Sequence, residues 1–361
     1  MQYHKNYIFF MVTNRNFAAT LYRAFLADAK RSFYAHYFSK NLKFMPFLRH
    51  SSYKKAPFGQ FNGNLQTIVP SRRIVSGVDY ERERIETFDK DFLDLDWIDK
   101  KSRKLLILTH GLEGASDRQY MRGMAKMFAK NGFDVLAWNC RSCSGEMNRA
   151  FRLYNHGEIG DIEAVLNHAL TRKNYDEVSL VGFSMGGNVS LKFAAVCQHP
   201  SVKKVVAFSS PLEMRTSTAV LDYPSRFIYQ YYFRKGILPK VKNKAEMFPH
   251  LLNMAEVEAA KTWEAEQYLF FVKINGYASI DDFYEKGSAL NFIPSLKIPT
   301  LIVQAQNDPM LTLECSPIQL AENHRFIHLE TPRVGGHCGF MLPNDKAHTW
   351  AEYRALEFVL S

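Results

Sequence analysis

From Arg84 the apolar positions run Ile85, Thr87 and Phe88, then Phe92, Leu93, Leu95 and Trp97, around an Asp89-Lys90-Asp91 turn, so this stretch reads as a β-hairpin. The pattern then changes. Four short apolar runs follow, Leu105 to Leu108, Val135 to Trp138, Val178 to Val181 and Val205 to Phe208, each separated from the next by a stretch able to form a helix. Tyr120, Met121, Met124, Met127 and Phe128 recur at helical spacing after the first run, and Ile162, Val165, Leu166 and Ala169 do so after the second. Short apolar runs alternating with amphipathic helices are the mark of βαβ units and a mostly parallel sheet. Two more runs, Thr300 to Gln304 and Phe326 to Leu329, resume that sheet much later. Between Pro211 and Pro294 the strand pattern disappears, and charged, aromatic and Met residues at helical spacing replace it. A structureless loop of that length does not belong in a compact domain, which predicts an inserted helical subdomain. Its Phe227, Tyr229, Tyr231, Tyr232 and Phe233 either pack the insert onto the body or cover something apolar.

The chain has 361 residues, 47% hydrophobic and 23% charged, which excludes a disordered tail, a fibrous repeat and a disulfide-stapled miniprotein. Its net charge of +10 changes meaning once it is located. Residues 1–44 hold seven Lys and Arg against one acid, Asp28, a net +6 that leaves +4 for the rest of the chain. The same segment carries 12 of the 50 aromatic residues. It is therefore a separate basic, aromatic extension, and the near-neutral body disfavours a nucleic-acid role. Phe17, Leu21, Phe25, Phe33 and Tyr37 recur there at helical spacing, a pattern open to a helix docked on the body, to disorder or to a helix on a membrane surface. The run from Tyr7 to Val12 is too short for a secretory signal, and no stretch approaches the roughly 18–20 apolar residues that span a bilayer. The five cysteines, Cys140, Cys143, Cys197, Cys315 and Cys338, are an odd and scattered set that suits a reducing compartment. The chain thus reads as soluble and cytoplasmic. Cys140 and Cys143 have C-x-x-C spacing, without the second pair that would complete a zinc site.

Candidate chemistry centres on Gly182-Phe183-Ser184-Met185-Gly186, a G-x-S-x-G lying directly after one apolar run and before a helical stretch from Asn188-Val189. In that strand-turn-helix context the motif is a nucleophile elbow, and its glycines are required because a Cβ in so tight a turn would strike neighbouring backbone. A serine hydroxyl is a poor nucleophile at neutral pH, so it needs a base, and the base needs an acid to orient it. Around such an elbow these follow the serine in the order acid, then histidine. Asp308, in Ala305-Gln306-Asn307-Asp308-Pro309 after the fifth run, and His337, in Gly335-Gly336-His337-Cys338-Gly339 after the sixth, stand in that order. Two backbone N–H groups are also needed for an oxyanion. Met185, after the nucleophile, offers one, and Leu112 in His110-Gly111-Leu112-Glu113-Gly114 offers the other. His110 reads as the histidine that holds this loop. Arg141, Glu146, Asn148 and Arg149 form a further polar cluster, which either supports its own loop through ion pairs or orients a polar part of a substrate.

Together these motifs resemble the α/β-hydrolase superfamily, and more narrowly its YheT-like esterase branch. The narrow likeness rests on Asn64-Leu65-Gln66-Thr67, His110 to Gly114, Arg141 through Arg149, Gly182 to Asn188, Gly276-Tyr277 with Asp282-Phe283-Tyr284, Asn307-Asp308-Pro309 and Gly335 to Phe340, and it covers Pro46 to the C-terminus. Ser142 stands where the family usually has glycine, and Asn307 where it often has an acid. The resemblance implies a cytoplasmic serine carboxylesterase for short to medium acyl esters, with Ser184 as nucleophile, Asp308 as acid and His337 as base, without cofactor or metal. The expected division is a basic extension over 1–44, a hydrolase core over 45–210 and 295–361, and a helical cap over 211–294. Met45, just before the matched region, is an expected translation start. The expected partner is a small-molecule ester, with no nucleic acid and no firm membrane association beyond what residues 1–44 offer. A lipase or acyltransferase on lipid-like esters is the alternative, and a binding protein on an inactive scaffold is a third reading. Epoxide and haloalkane hydrolases need a carboxylate where Ser184 stands.

Overall fold

The hairpin and the six apolar runs all become strands of one sheet. The computed structural model describes residues 47–48 and 51–361; the basic extension, with its helical spacing, lies outside the described residues. The strands are β1 (Phe47–Leu48), β2 (Glu81–Glu86), β3 (Phe92–Ile98), β4 (Lys104–Thr109), β5 (Asp134–Asn139), β6 (Glu177–Phe183), β7 (Val202–Phe208), β8 (Thr300–Val303) and β9 (Ile327–Glu330). They lie in the order β1-β9-β8-β7-β6-β4-β5-β3-β2. β2 and β3 form the antiparallel hairpin, closed at Glu86 opposite Phe92, and β3 runs antiparallel to β5; the remaining pairs are parallel.

The helices are α1 (Gly63–Ile68), α2 (Gln119–Lys130), α3 (Gly160–Arg172), α4 (Met185–Cys197), α5 (Met214–Leu221), α6 (Phe227–Met247), α7 (Met254–Ala259), α8 (Trp263–Gln267), α9 (Ile280–Gly287), α10 (Ile318–Asn323) and α11 (Trp350–Leu360). Parallel strands are covered on both faces, so their residues are apolar without alternation, and successive side chains enter two separate cores. Leu105, Ile107, Leu136 and Leu180 meet α3 and α4 through Ile162, Val165 and Phe193. Leu106, Leu108, Val135 and Val181 meet α2 and α11 through Met121, Phe128 and Phe358. Between β7 and β8 the described chain forms α5 to α9, a π-helical turn over Tyr268–Lys273 and short 3-10 turns, with a core of their own around Phe233, Ile237, Phe270 and Phe283. Among the described residues no helix is long and apolar enough to cross a membrane.

Two elements differ from the sequence expectation. α4 starts at Met185, three residues before Asn188, because the chain turns into the helix at Ser184 itself. β1 has only two residues, too few to carry a periodic signal.

Candidate active site

The strand order reverses at β4, which lies between β5 and β6, and open α/β sheets collect ligands at such a switch point, beyond the carboxyl ends of the strands. Thr109, the last residue of β4, pairs with Gly182 of β6, so the loop from His110 to Gly114 and the turn at Ser184 emerge side by side. Ser184 has φ +53° and ψ −123°, a strained conformation for a non-glycine residue, and its amide donates to the Phe208 carbonyl at 2.8 Å. The flanking glycines have no alternative. A Cβ on Gly186 would lie 2.2 Å from the Thr109 oxygen, and one on Gly182 would lie 2.3 Å from the Gly186 oxygen.

Ser184, His337 and Asp308 meet in one hydrogen-bonded row. His337 Nε2 is 2.9 Å from Ser184 Oγ, and its Nδ1 is 2.8 Å and 3.1 Å from the two Asp308 oxygens. A carboxylate only accepts, so the imidazole proton belongs on Nδ1 and leaves Nε2 to accept from the serine hydroxyl. The Met310 amide also donates to Asp308, at 2.9 Å. The loop that carries His337 is tied to α1. Gly335 N–H donates to Gln66 Oε1 at 2.7 Å, His337 N–H to Thr67 Oγ1 at 2.9 Å, and Gly336 N–H to Asn307 Oδ1 at 3.1 Å. Asn307 Nδ2 in turn donates to Gln66 Oε1 at 2.9 Å. Asn307 thus holds the histidine loop with both ends of its amide, one accepting and one donating, whereas an acid there would lack the donor.

In the loop after β4, Gly111 N–H donates to Tyr120 Oη at 3.1 Å, Glu113 N–H to Tyr154 Oη at 3.0 Å and Gly114 N–H to the Gly111 carbonyl at 2.9 Å. Among the described residues no hydrogen bond is assigned to the Leu112 amide or to the Met185 amide at the start of α4. Both therefore remain available beside Ser184. Glu113 adopts φ +54°, and its carboxylate accepts from Tyr154 Oη and from Lys240 Nζ, the latter at 2.7 Å, which ties the loop to α6. The Cys140 amide donates to His110 Nε2 at 3.0 Å, and His110 Nδ1 lies 2.7 Å from the Gly111 carbonyl. Burial pushes the pKa of this imidazole down to about 4, so it stays neutral and braces two backbones. Tyr120, Tyr154 and Lys240 carried no motif in the sequence; Tyr120 and Lys240 are an aromatic and a basic side chain within helices, and Tyr154 lies in the loop before α3.

Ser184 and His337 border two cavities. The larger, about 320 Å³, has walls from Leu112, Tyr120, Ile228, Tyr229, Tyr232 and Phe233, and the smaller, about 40 Å³, lies among α5, α8 and the loops around them. The aromatic run of α6 is thereby divided: Tyr229 and Phe233 are buried, while Phe227 and Tyr231 face solvent.

The polar cluster after β5 points elsewhere. Arg141 is fully buried, 2.8 Å from Asp91, 2.7 Å from Asp161 and 2.9 Å from Asp89. Asn148 Nδ2 donates to Asp91 at 2.6 Å, Glu146 pairs with Arg84 at 2.8 Å, and the Arg149 guanidinium lies 5.3 Å from the centre of the Phe92 ring. None of the four lines either cavity. They do not orient substrate through either cavity: Arg141, Glu146, Asn148 and Arg149 all engage the β2–β3 hairpin, and Arg141 also engages Asp161 of α3.

Comparison with known proteins agrees with this fold. Residues 104–342 match the family model for the alpha/beta hydrolase fold, and the chain belongs to that family. It is 28% identical to YheT of Escherichia coli (strain K12), provisionally named an esterase, over 85% of this chain and 89% of that one. It is 26% identical to the phospholipase ABHD3 of Mus musculus, over 73% of this chain and 67% of that one. Among solved structures, the esterase Pf2001 of Pyrococcus furiosus aligns with a TM-score of 0.53 at 18% identity, over 80% of this chain and 95% of that one, which speaks for the fold alone. The protein is a hydrolase of the α/β fold.

Proposed function

We propose that the chain is a serine carboxylesterase for short to medium acyl esters, with residues 211–294 serving as a cap over the site. Ser184 Oγ attacks the acyl carbonyl as His337 Nε2 takes its proton, and Asp308 keeps the imidazole in the required tautomer. The Leu112 and Met185 amides hold the oxyanion of the tetrahedral intermediate. His337 then returns the proton to the departing alcohol, and water, activated by the same imidazole, releases the acid from the acyl-enzyme. The observation that carries this reading is the row of contacts from Ser184 through His337 to Asp308, at 2.9 Å and 2.8 Å, opening onto a largely apolar cavity. The esterase name borne by YheT supports it. A second reading, a lipase or acyltransferase on lipid-like esters, is favoured by the aromatic wall of that cavity and by the phospholipase named among the relatives.

The test is a series of 4-nitrophenyl esters of rising acyl length, assayed with the wild type and with Ser184→Ala. The substitution should lower kcat on the order of 10⁶-fold and abolish labelling by a fluorophosphonate. Undiminished turnover rejects the mechanism, and activity that holds or rises beyond about ten carbons favours the lipid reading.

A further inference from the structure

The smaller cavity beside Ser184 has a polar wall that the mechanism does not use. Its about 40 Å³ accommodates on the order of three waters, or a limb of about three or four heavy atoms. Met214, Leu221, Phe233, Met310 and Leu311 make most of its lining apolar. Into this lining are set His156, 6% exposed, and Gln267, 2% exposed. His156 Nδ1 and Gln267 Oε1 are both buried without a hydrogen-bond partner among the described residues. Buried polar atoms in folded proteins are nearly always paired, so two unpaired ones on residues that line one small chamber at a nucleophile call for a partner.

The chemistry of that ligand follows from the neighbours. Gln267 Nε2 donates to Thr218 Oγ1 at 3.1 Å, and Thr218 gives its own proton to the Met214 carbonyl at 2.8 Å. In this arrangement Thr218 accepts from the glutamine amide, and Oε1 is left as an acceptor that calls for a donor. The His156 ring stands edge-on to Phe271 and Phe283, with centroids 6.3 Å away in each case, and burial keeps it neutral, with its pKa pushed down to about 3. No Asp, Glu, Lys or Arg lines the chamber, so nothing there compensates a charged ligand. A neutral hydroxyl fits: it donates to Gln267 Oε1 and accepts from an imidazole whose proton is on Nδ1.

We infer that this chamber is the acyl site, and that it selects short acyl groups bearing a hydroxyl, which Gln267 and His156 recognise. Esters of short hydroxy acids are then the preferred substrates, with the alcohol limb in the 320 Å³ cavity. This selectivity rests on Ser184 being the nucleophile proposed above.

Turnover of 4-nitrophenyl 3-hydroxybutyrate is compared with that of 4-nitrophenyl butyrate, using the wild type, Gln267→Met and His156→Phe. These substitutions keep side-chain bulk while deleting the polar atoms. The wild type should favour the hydroxy ester in kcat/KM by roughly tenfold or more, because the unmodified acyl group leaves both wall groups unpaired, and the ratio should fall toward one in each variant. A wild type that hydrolyses butyrate equally well or better overturns the inference whether or not the variants fold. A preference retained in both variants overturns the assignment to these two residues. Labelling of Ser184 by a fluorophosphonate in the same samples separates failures. A labelled enzyme without the preference, or without turnover of either ester, refutes the acyl site alone, whereas an unlabelled and inactive enzyme refutes the esterase reading with it.

Discussion

Gln66→Leu breaks the support of the histidine loop while keeping the volume of the side chain. Gln66 is 3% exposed; its Oε1 accepts from the Gly335 amide at 2.7 Å and from Asn307 Nδ2 at 2.9 Å, and its Nε2 donates to the Gln60 carbonyl at 2.7 Å. Leucine strands all three partners. Each buried polar group left unpaired costs about 1–3 kcal/mol, and Asn307, only partly buried, recovers some of this through solvent. The total expected is about 3–5 kcal/mol, which for a chain of this size lowers Tm by about 4–7 °C. Activity should suffer separately. Gly335 and Gly336 immediately precede His337, and an imidazole displaced by about 1 Å from its serine loses on the order of 10²-fold in rate. Neither Gln66 nor its three partners lines a cavity at Ser184, so kcat should fall while KM changes little. Calorimetry and nitrophenyl ester kinetics read the two effects. Asn307→Ala in the same background should be non-additive by about 0.5 kcal/mol or more, because both residues belong to one network. A Gln66→Leu protein with Tm within about 2 °C of wild type and kcat within about twofold would refute the reasoning, since the loop would then be held by something other than these bonds.

Arg141→Met removes the cation from among Asp89, Asp91 and Asp161 and leaves buried carboxylates unpaired, which should destabilise the fold by about 3–5 kcal/mol in urea unfolding. A variant of unchanged stability but altered KM would restore the role in substrate orientation rejected above. Burial holds the pKa of His110 near 4 and of His156 near 3, below the ordinary 6.5, so the unfolded chain binds more protons than the folded one once the pH falls beneath 6.5. Their contribution to stability is therefore complete above that pH and is lost toward the folded values, at roughly 1.4 kcal/mol per pH unit for each histidine. Unfolding followed from pH 7 to 4.5 should show this loss, with a shallower slope in His156→Phe; equal slopes in the two proteins would reject it.

Ser184, Asp308 and His337 could be picked out of the sequence because each stands where local backbone demands leave a mark. Gly182 and Gly186 are dictated by oxygen atoms that a Cβ would strike, and the six apolar runs are dictated by burial on both faces of the sheet. The residues that position them left no comparable mark. Gly335 and Gln66 are 269 positions apart, and Glu113 and Lys240 are 127 apart, so no spacing relates them, and a Gln or Lys within a helix has many ordinary uses. The Asn64-Leu65-Gln66-Thr67 block was visible only through family likeness, which indicated that it mattered without indicating that it holds the histidine loop. Arg141 and Asn148 illustrate the converse. Their polarity was plain, but polarity has no direction in a sequence, and only the fold turns them toward the hairpin instead of the cavity. Reactive groups are thus specified by short-range backbone geometry, whereas their orientation and the selectivity of the pocket are specified by tertiary neighbours. Hydrolases that share the elbow, the acid and the histidine can therefore differ widely in substrate, and positions such as His156 and Gln267 are where that difference would be written.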